Sequence, residues 1–193
     1  MRATLGYGYR LGWGLALLLL AATAGAAQRS VMAPQSAVEF TVRQMGVPIT
    51  GRFSRFEATL DFDQRQTDKS SARIQITIAS LDTGNEEADA IAVGADWLDK
   101  ARWPTALFQS SAIRAVAPGR LEARGSLSIH GIERALTVPI SVVEQADART
   151  LLQAEFPISR SAFQIGRGVW NQSGVVSDEI QIKVRLMLAA PAR

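Results

Sequence analysis

The segment Asp82-Thr83-Gly84, which follows an apolar run from Ile74 to Leu81, contains residues suited to acid–base chemistry. In aspartic-type hydrolases, two such aspartates share one proton and activate a water molecule. The sequence contains no convincing partner motif, and the same three residues suit an Asx-type turn at the end of a strand. The sequence therefore favours a turn, with a hydrolase that uses Asp82 as an alternative.

Other residue types that support catalysis or metal binding are scarce. His130 is the only histidine and is followed by Gly131, a dipeptide typical of turns, and the chain has 0 cysteines. A zinc site, a catalytic triad or a cysteine nucleophile would therefore lack its partner residues. Gly166-Arg167-Gly168 is too short to predict a phosphate-binding loop. We predict no catalytic residues, no metal site and no covalently bound cofactor.

The elements that position any functional residues are predicted to be strands, because apolar side chains recur at every second position from residue 38 onward. This is the period of a β-strand with one buried and one solvated face. Turn signals such as Pro118-Gly119 separate the runs. About eight strands are predicted, with the Gly51 region bent rather than broken, which favours an all-β sandwich or barrel. The runs cover residues 38–42, 56–62, 74–78, 106–113, 121–129, 136–142, 152–158 and 180–188.

One segment has a helical pattern. Ile91, Ala95 and Leu98 recur at helical spacing within residues 86–99, although Gly94 weakens the pattern. A short helix across the mouth or the side of a barrel is therefore predicted.

The first residues have the features of an export signal. Arg2 and Arg10 precede a leucine-rich run, and Ala24-Gly25-Ala26 offers a cleavage site. We expect a cleaved signal peptide at residues 1–26, a single domain at 27–193 and a periplasmic location. Cleavage would remove two of the 21 basic residues and none of the 18 acidic ones, leaving 19 against 18. A charge so near zero argues against nucleic acid as a partner.

Several separated blocks are similar to one known family. They include Gly51-Arg52-Phe53, Leu60-Asp61-Phe62-Asp63, residues 95–99, residues 103–110 and residues 125–131. Across nearly all of the expected mature chain, the sequence resembles the YceI-like proteins of the bacterial periplasm. The block at residues 159–166 is similar to the branch of the family found beside or fused to b-type membrane cytochromes.

The resemblance implies an eight-stranded antiparallel lipocalin-like barrel with one short helix that encloses a polyisoprenoid chain, such as the tail of a quinone or a polyprenyl phosphate. A b-type membrane cytochrome and a second copy of the chain are the further partners to consider. Alternation alone favours a filled core, and hence an interaction module without a ligand. With the resemblance, we predict that the inward residues line a ligand cavity: Phe40, Val42, Phe53, Phe56, Leu60, Ile76, Ile78, Phe108, Leu127, Ile129, Val138, Ile140, Phe156, Phe163, Ile182, Val184 and Leu186.

Arg160 and Arg167 lie in a predicted loop between the last two strands. Their guanidinium groups would suit a phosphate or quinone head group if the loop reached the barrel mouth. Exposed arginines are more often simply solvated. A head-group role for these two residues is the less favoured of the two interpretations.

Overall fold

The computed structural model describes residues 29–62, 66–171 and 175–191, so the predicted signal peptide at 1–26 lies outside the described residues. The described part is all-β with one α-helix, α1 (Glu86–Ala92). Its ten strands are β1 (Ala37–Gln44), β2 (Val47–Phe53), β3 (Phe56–Asp61), β4 (Ser71–Thr77), β5 (Leu81–Asp82), β6 (Thr105–Ala117), β7 (Arg120–Ile129), β8 (Ile132–Glu144), β9 (Thr150–Ser159) and β10 (Val176–Leu188).

The strands form one antiparallel sheet that curls into a barrel. Their order is β3-β4-β6-β7-β8-β9-β10-β1-β2-β5, so β3 lies at one end of the sheet and β2 near the other. Only Ser54 and Arg55 separate β2 from β3 along the chain, which brings the two ends of the sheet within a few residues of each other. If β2 and β3 are counted as one bent strand and the two-residue β5 is set aside, the barrel has the eight strands that the sequence predicts.

The inward-facing residues form two apolar clusters, one toward each end of the barrel. The first, around Leu60, Leu121 and Leu188, is a solid core at the end where β10 terminates. Arg29 covers this end, because its guanidinium donates hydrogen bonds to the Ala189 carbonyl at 2.7 Å and to Thr150 Oγ1 at 2.9 Å. This end is the closed end of the barrel.

The wall opens at the other end, between β8 and β9. These two strands pair only from Ile140 to Glu144, opposite Ala154 to Thr150. Pro139, which has no N–H to donate, stands where the pairing stops. Beyond that point, β8 continues its pairing with β7 and β9 with β10. The two strands therefore part toward the end of the barrel at which β9 finishes.

Helix α1 is shorter than the predicted 86–99 segment. Asn85 caps it, because its side-chain oxygen accepts hydrogen bonds from the backbone N–H groups of Glu87 and Ala88 at 3.0 and 3.1 Å. The helix ends before Gly94, a residue that disfavours helix interiors. The chain then continues through turns to β6, with a left-handed backbone at Asp99. No helix in the described part of the chain is long and apolar enough to cross a membrane.

Candidate functional site

A cavity of about 420 Å³ lies inside the barrel. This volume falls within the roughly 300–1,000 Å³ of small-molecule pockets. Its walls come from the inward faces of the strands, and α1 and the 93–104 segment cross one end of it. The solid cluster around Leu121 and Leu188 closes the opposite end. In the part of the chain that the structure describes, the cavity therefore opens at one end, the end where β9 finishes.

The structure brings most of the predicted lining residues together around this cavity. They lie on the inward faces of nine strands and in the turn after β4. The predicted residues that line it are Phe40, Val42, Phe53, Leu60, Ile76, Ile78, Phe108, Leu127, Ile129, Val138, Ile140, Phe156, Ile182, Val184 and Leu186. Whether they contact a ligand stays a prediction.

Phe56 and Phe163 do not line the cavity. Phe56, the first residue of β3, is half-buried and packs against the solid cluster. Phe163 is 4% exposed and lies in a 3-10 turn rather than a strand, where it packs beside Ile158 and Ile165. Alternation assigns a strand residue to the inner face, but it does not say whether that face meets other side chains or a void.

Several lining residues were missed because they lie outside the regular strands. Trp97 and Trp170 are at the mouth, with their ring centroids 5.6 Å apart and their planes at 63° to each other. Ile91 comes from α1 and Ile165 from the segment after β9. Period-two alternation carries no signal for such positions. Ile91 has one cue in the sequence, its helical spacing with Ala95 and Leu98, and the two tryptophans and Ile165 have only their large apolar side chains.

Arg160 corrects the sequence-based interpretation of the loop after β9. It is neither solvated nor available to a head group, because it is 3% exposed. Its Nε and its two Nη atoms donate hydrogen bonds to backbone carbonyls on both sides of the loop. The acceptors are Ser177 (3.1 Å), Ile165 (2.9 Å), Gly166 (3.2 Å), Trp170 (3.0 Å) and Val176 (3.2 Å).

Residues 160–171, which we call the mouth loop, reach across to the turn between β7 and β8. His130, at that turn, has Nδ1 3.2 Å from the Phe163 carbonyl oxygen and Nε2 3.2 Å from Arg167 Nη2. Arg167 also donates from its backbone N–H to the Asp96 carbonyl at 2.8 Å. The mouth loop therefore spans the parting of β8 and β9, and exposed Arg167 ties it to the residues after α1.

Asp82 lies in a turn, as the sequence favoured. Its carboxylate accepts hydrogen bonds from Arg52 at 2.9 and 3.0 Å and from the Gly84 N–H at 2.9 Å. The hydrogen bond from Arg52, and then that from Gly84, lowers the pKa of Asp82 below its ordinary value. Thr83 is bound to Asp89, with its Oγ1 2.7 Å from Oδ1. An ion-paired, ionised Asp82 is unlike the carboxyl pair with a shared proton that aspartic hydrolysis needs.

Few polar groups meet the cavity. The polar residues of its lining are Gln44, Thr83, Asn85, Glu87 and Gln153, and none of the described lining residues is a lysine or an arginine. In the three described ranges, no group of three His, Cys, Asp or Glu side chains is arranged to hold a metal ion. The arrangement suits an apolar molecule held by burial.

Comparison with known sequences places the chain among bacterial relatives. A family model described as "YceI-like domain" matches residues 30–188. A UPF0312 protein of Vibrio vulnificus is 28% identical over 134 residues, which are 67% of this chain and 71% of the relative. A UPF0312 protein of Pseudomonas aeruginosa is 26% identical over 111 residues, which are 57% of this chain and 58% of the relative.

Solved structures share the architecture. Burkholderia cenocepacia BcnA superposes with a TM-score of 0.79 at 36% identity, covering 82% of this chain and 99% of BcnA. A polyisoprenoid-binding domain from Saccharophagus degradans superposes with a TM-score of 0.66 at 16% identity, covering 86% of this chain and 99% of that domain. At 16% identity, the similarity to the Saccharophagus degradans domain shows a shared fold only.

Proposed function

Because this chain belongs to the YceI-like domain family, we propose that it is a periplasmic lipid-binding protein that encloses an isoprenoid chain for transport, storage or sequestration. The observation that supports this function best is the one-ended apolar cavity. The Saccharophagus degradans domain of similar fold is described as polyisoprenoid-binding. The export features of the first residues support the periplasmic location.

Burial of the tail supplies the affinity. Each CH₂ group that leaves water contributes about 0.8 kcal/mol, so ten such groups contribute on the order of 8 kcal/mol before the cost of ordering the chain. The closed end stops the tail against the solid cluster of Leu60 and Leu121. The tail therefore enters first, and the head group stays at the mouth among Gln44, Glu87 and Trp97.

The polar groups at the mouth favour an uncharged head group, as in a quinone, over a phosphate. Arg160 directs its guanidinium to backbone carbonyls, and the Arg167 guanidinium lies against His130 and the Ala95 carbonyl. Glu87 would repel a phosphate, since like charges in proximity are unfavourable. The indole N–H of Trp97 is buried without an acceptor among the described residues, and a quinone oxygen could serve as one.

The test is native mass spectrometry of the signal-free protein, purified without detergent and mixed with a polyprenyl quinone or a polyprenyl phosphate of equal chain length. We expect both tails to bind and the quinone to bind more tightly. Glu87→Gln should narrow that difference and Glu87→Lys should reverse it. Binding of neither ligand would contradict the lipid-binding function. Tighter binding of the phosphate to the wild type would contradict only the head-group preference.

Contact with a b-type membrane cytochrome and formation of a homodimer stay predictions from the sequence. Both can be read in the same native spectra, the first after addition of membrane protein extract and the second from the mass of the free protein.

A further inference from the structure

We propose that the mouth of the cavity docks on a lipid bilayer through an apolar rim, so that the ligand passes between membrane and barrel without crossing water. This inference rests on the proposed lipid-binding function. The apolar rim consists of large hydrophobic side chains that are exposed around the mouth: Met45 (77% exposed), Val47 (63%), Ile91 (41%) and Val169 (74%).

The rim residues come from three separate segments that meet at the mouth. Met45 lies in the β1–β2 turn and Val47 is the first residue of β2, paired with the lining residue Gln44. The Met45 N–H donates to the Val175 carbonyl at 2.8 Å. The carbonyls of Val176 and Trp170 both accept hydrogen bonds from Arg160. This side chain therefore holds the start of β10 close to Val169, the residue before Trp170.

α1 also contributes to the rim. Ile91 both lines the cavity and is exposed, so its side chain lies at the boundary between the cavity and solvent. The mouth loop is joined to the segment after α1 by the Trp97–Trp170 contact and by the hydrogen bond from the Arg167 N–H to Asp96. The exposed apolar surface is therefore continuous with the apolar cavity lining.

The β1–β2 turn itself favours a role for an exposed apolar tip. Met45 and Gly46 have φ of 49° and 82°, as in a type I′ turn. Such turns strongly prefer Asn-Gly or Gly-Gly, because side chains other than those of Asn and Asp rarely adopt left-handed backbone. A methionine that is unfavourable in this turn and points into solvent has no structural reason to be there, whereas at a bilayer its side chain would be buried in the acyl region.

Charge indicates which lipid surface the rim fits. Arg43 is exposed and donates to the Gly46 carbonyl at 3.1 Å, so it stands beside the tip. Exposed Arg167 flanks Val169 in the mouth loop. Glu86 and Glu87 make the α1 side acidic. Apolar side chains interspersed with arginines match an anionic phospholipid surface, so we expect the β1–β2 turn and the mouth loop to enter the bilayer and the acidic end of α1 to stay in water.

The experiment is flotation of the signal-free protein with vesicles of phosphatidylcholine alone or mixed in equal parts with phosphatidylglycerol. A rim variant carries Val47→Ser and Val169→Ser. Its matched control carries Val116→Ser and Val143→Ser, which replace exposed valines (53% and 40%) at the closed end. The wild type and the control should float with the mixed vesicles, and the rim variant should bind them at least about tenfold more weakly. Arg43→Gln should weaken binding about fivefold, and only to the mixed vesicles.

Equal loss in the rim variant and the control, or no wild-type binding to either vesicle, would overturn the docking surface. Binding to membranes that contain a b-type cytochrome but not to pure lipid would also overturn it and would point to a protein partner. The rim side chains are exposed, so quinone uptake from solution by the rim variant should equal that of the wild type. If that uptake is absent in the wild type as well, the lipid-binding function fails independently of the docking surface.

Discussion

The Arg160 guanidinium carbon lies 5.8 Å from the centroid of the Trp97 ring. The side chain that holds the backbone of the mouth loop in place thus also packs on an indole of the cavity wall. A guanidinium over an aromatic face is favourable, more so when desolvated. One buried arginine therefore links the loop, the tryptophan pair at the mouth and the start of β10, and the shape of the opening depends on it.

Replacement of Arg160 by methionine should destabilise the protein strongly. Five backbone carbonyls would lose their donor in a buried site, which we expect to lower the free energy of unfolding by on the order of 3 kcal/mol or more. Arg160→Lys should be intermediate, because an ammonium group cannot reach the same set of acceptors. Urea denaturation gives these values. Arg167→Met, on the same loop but exposed, is the control, and an equal loss there would contradict the structural role of Arg160.

The strands could be predicted because the barrel buries one face of each strand, so that period-two alternation is visible in the residues themselves. The break at Ser54 and Arg55 could not, since a bend between two correctly alternating runs leaves the pattern unchanged. Alternation also does not tell how far along the barrel axis a residue lies. It therefore predicts correctly that Phe56 faces inward, but not that Phe56 packs against the solid cluster rather than lining the cavity.

The mouth was harder to predict than the wall. Trp97, Trp170 and Ile91 lie in irregular or helical segments and reach the cavity only through tertiary packing. The sequence favours a solvated loop charge at Arg160, because the partners of its guanidinium are backbone carbonyls, which every residue carries. The resemblance to a known family supplied the expectation of a cavity, which alternation alone could not separate from a filled core.

A larger side chain deep in the cavity should shorten the isoprenoid that the protein accepts. Ala154 lines the cavity beside Leu152 and Leu186 of the solid cluster. In Ala154→Phe, the ring should occupy the place of about one isoprene unit, whose five carbons contribute about 4 kcal/mol when buried. Affinities for a series of polyprenyl quinones of increasing length would show the loss only for the longer chains.

The control for this variant is Ala135→Phe, because Ala135 is exposed on β8 and faces away from the cavity. It should bind every chain length like the wild type. If Ala154→Phe weakened short and long chains equally, or if both variants behaved alike, the tail would not reach the closed end.

Acid should weaken the junction between β9 and β10 through Asp178. Ser159 Oγ donates to its carboxylate at 2.6 Å and the Ser161 N–H at 2.9 Å. The Ser159 hydrogen bond is the main cause that lowers the pKa of Asp178, with Ser161 and the Arg160 charge adding to it. Because folding favours the ionised form, this stabilisation is present above the unfolded pKa of about 3.9 and is lost as the pH falls through the lower folded pKa.

Unfolding of Asp178→Asn at a series of pH values tests this. The variant should be less stable than the wild type at neutral pH, and the two should converge in strong acid. A stability difference that stays constant across the series would mean that the charge of Asp178 does not matter to the fold.

Stability and membrane binding should change in opposite directions at the β1–β2 turn. Met45→Asn places a residue that tolerates left-handed backbone at φ 49°, and we expect it to raise the free energy of unfolding by about 1 kcal/mol. The same change removes the apolar tip and should weaken flotation with vesicles that contain phosphatidylglycerol. Gly46→Ala, at φ 82°, should do the reverse: it strains the turn and lowers stability, yet leaves Met45 exposed and vesicle binding intact. The contrary result is vesicle binding that follows stability, stronger in Met45→Asn and weaker in Gly46→Ala. The Met45 side chain would then have no role of its own at the membrane.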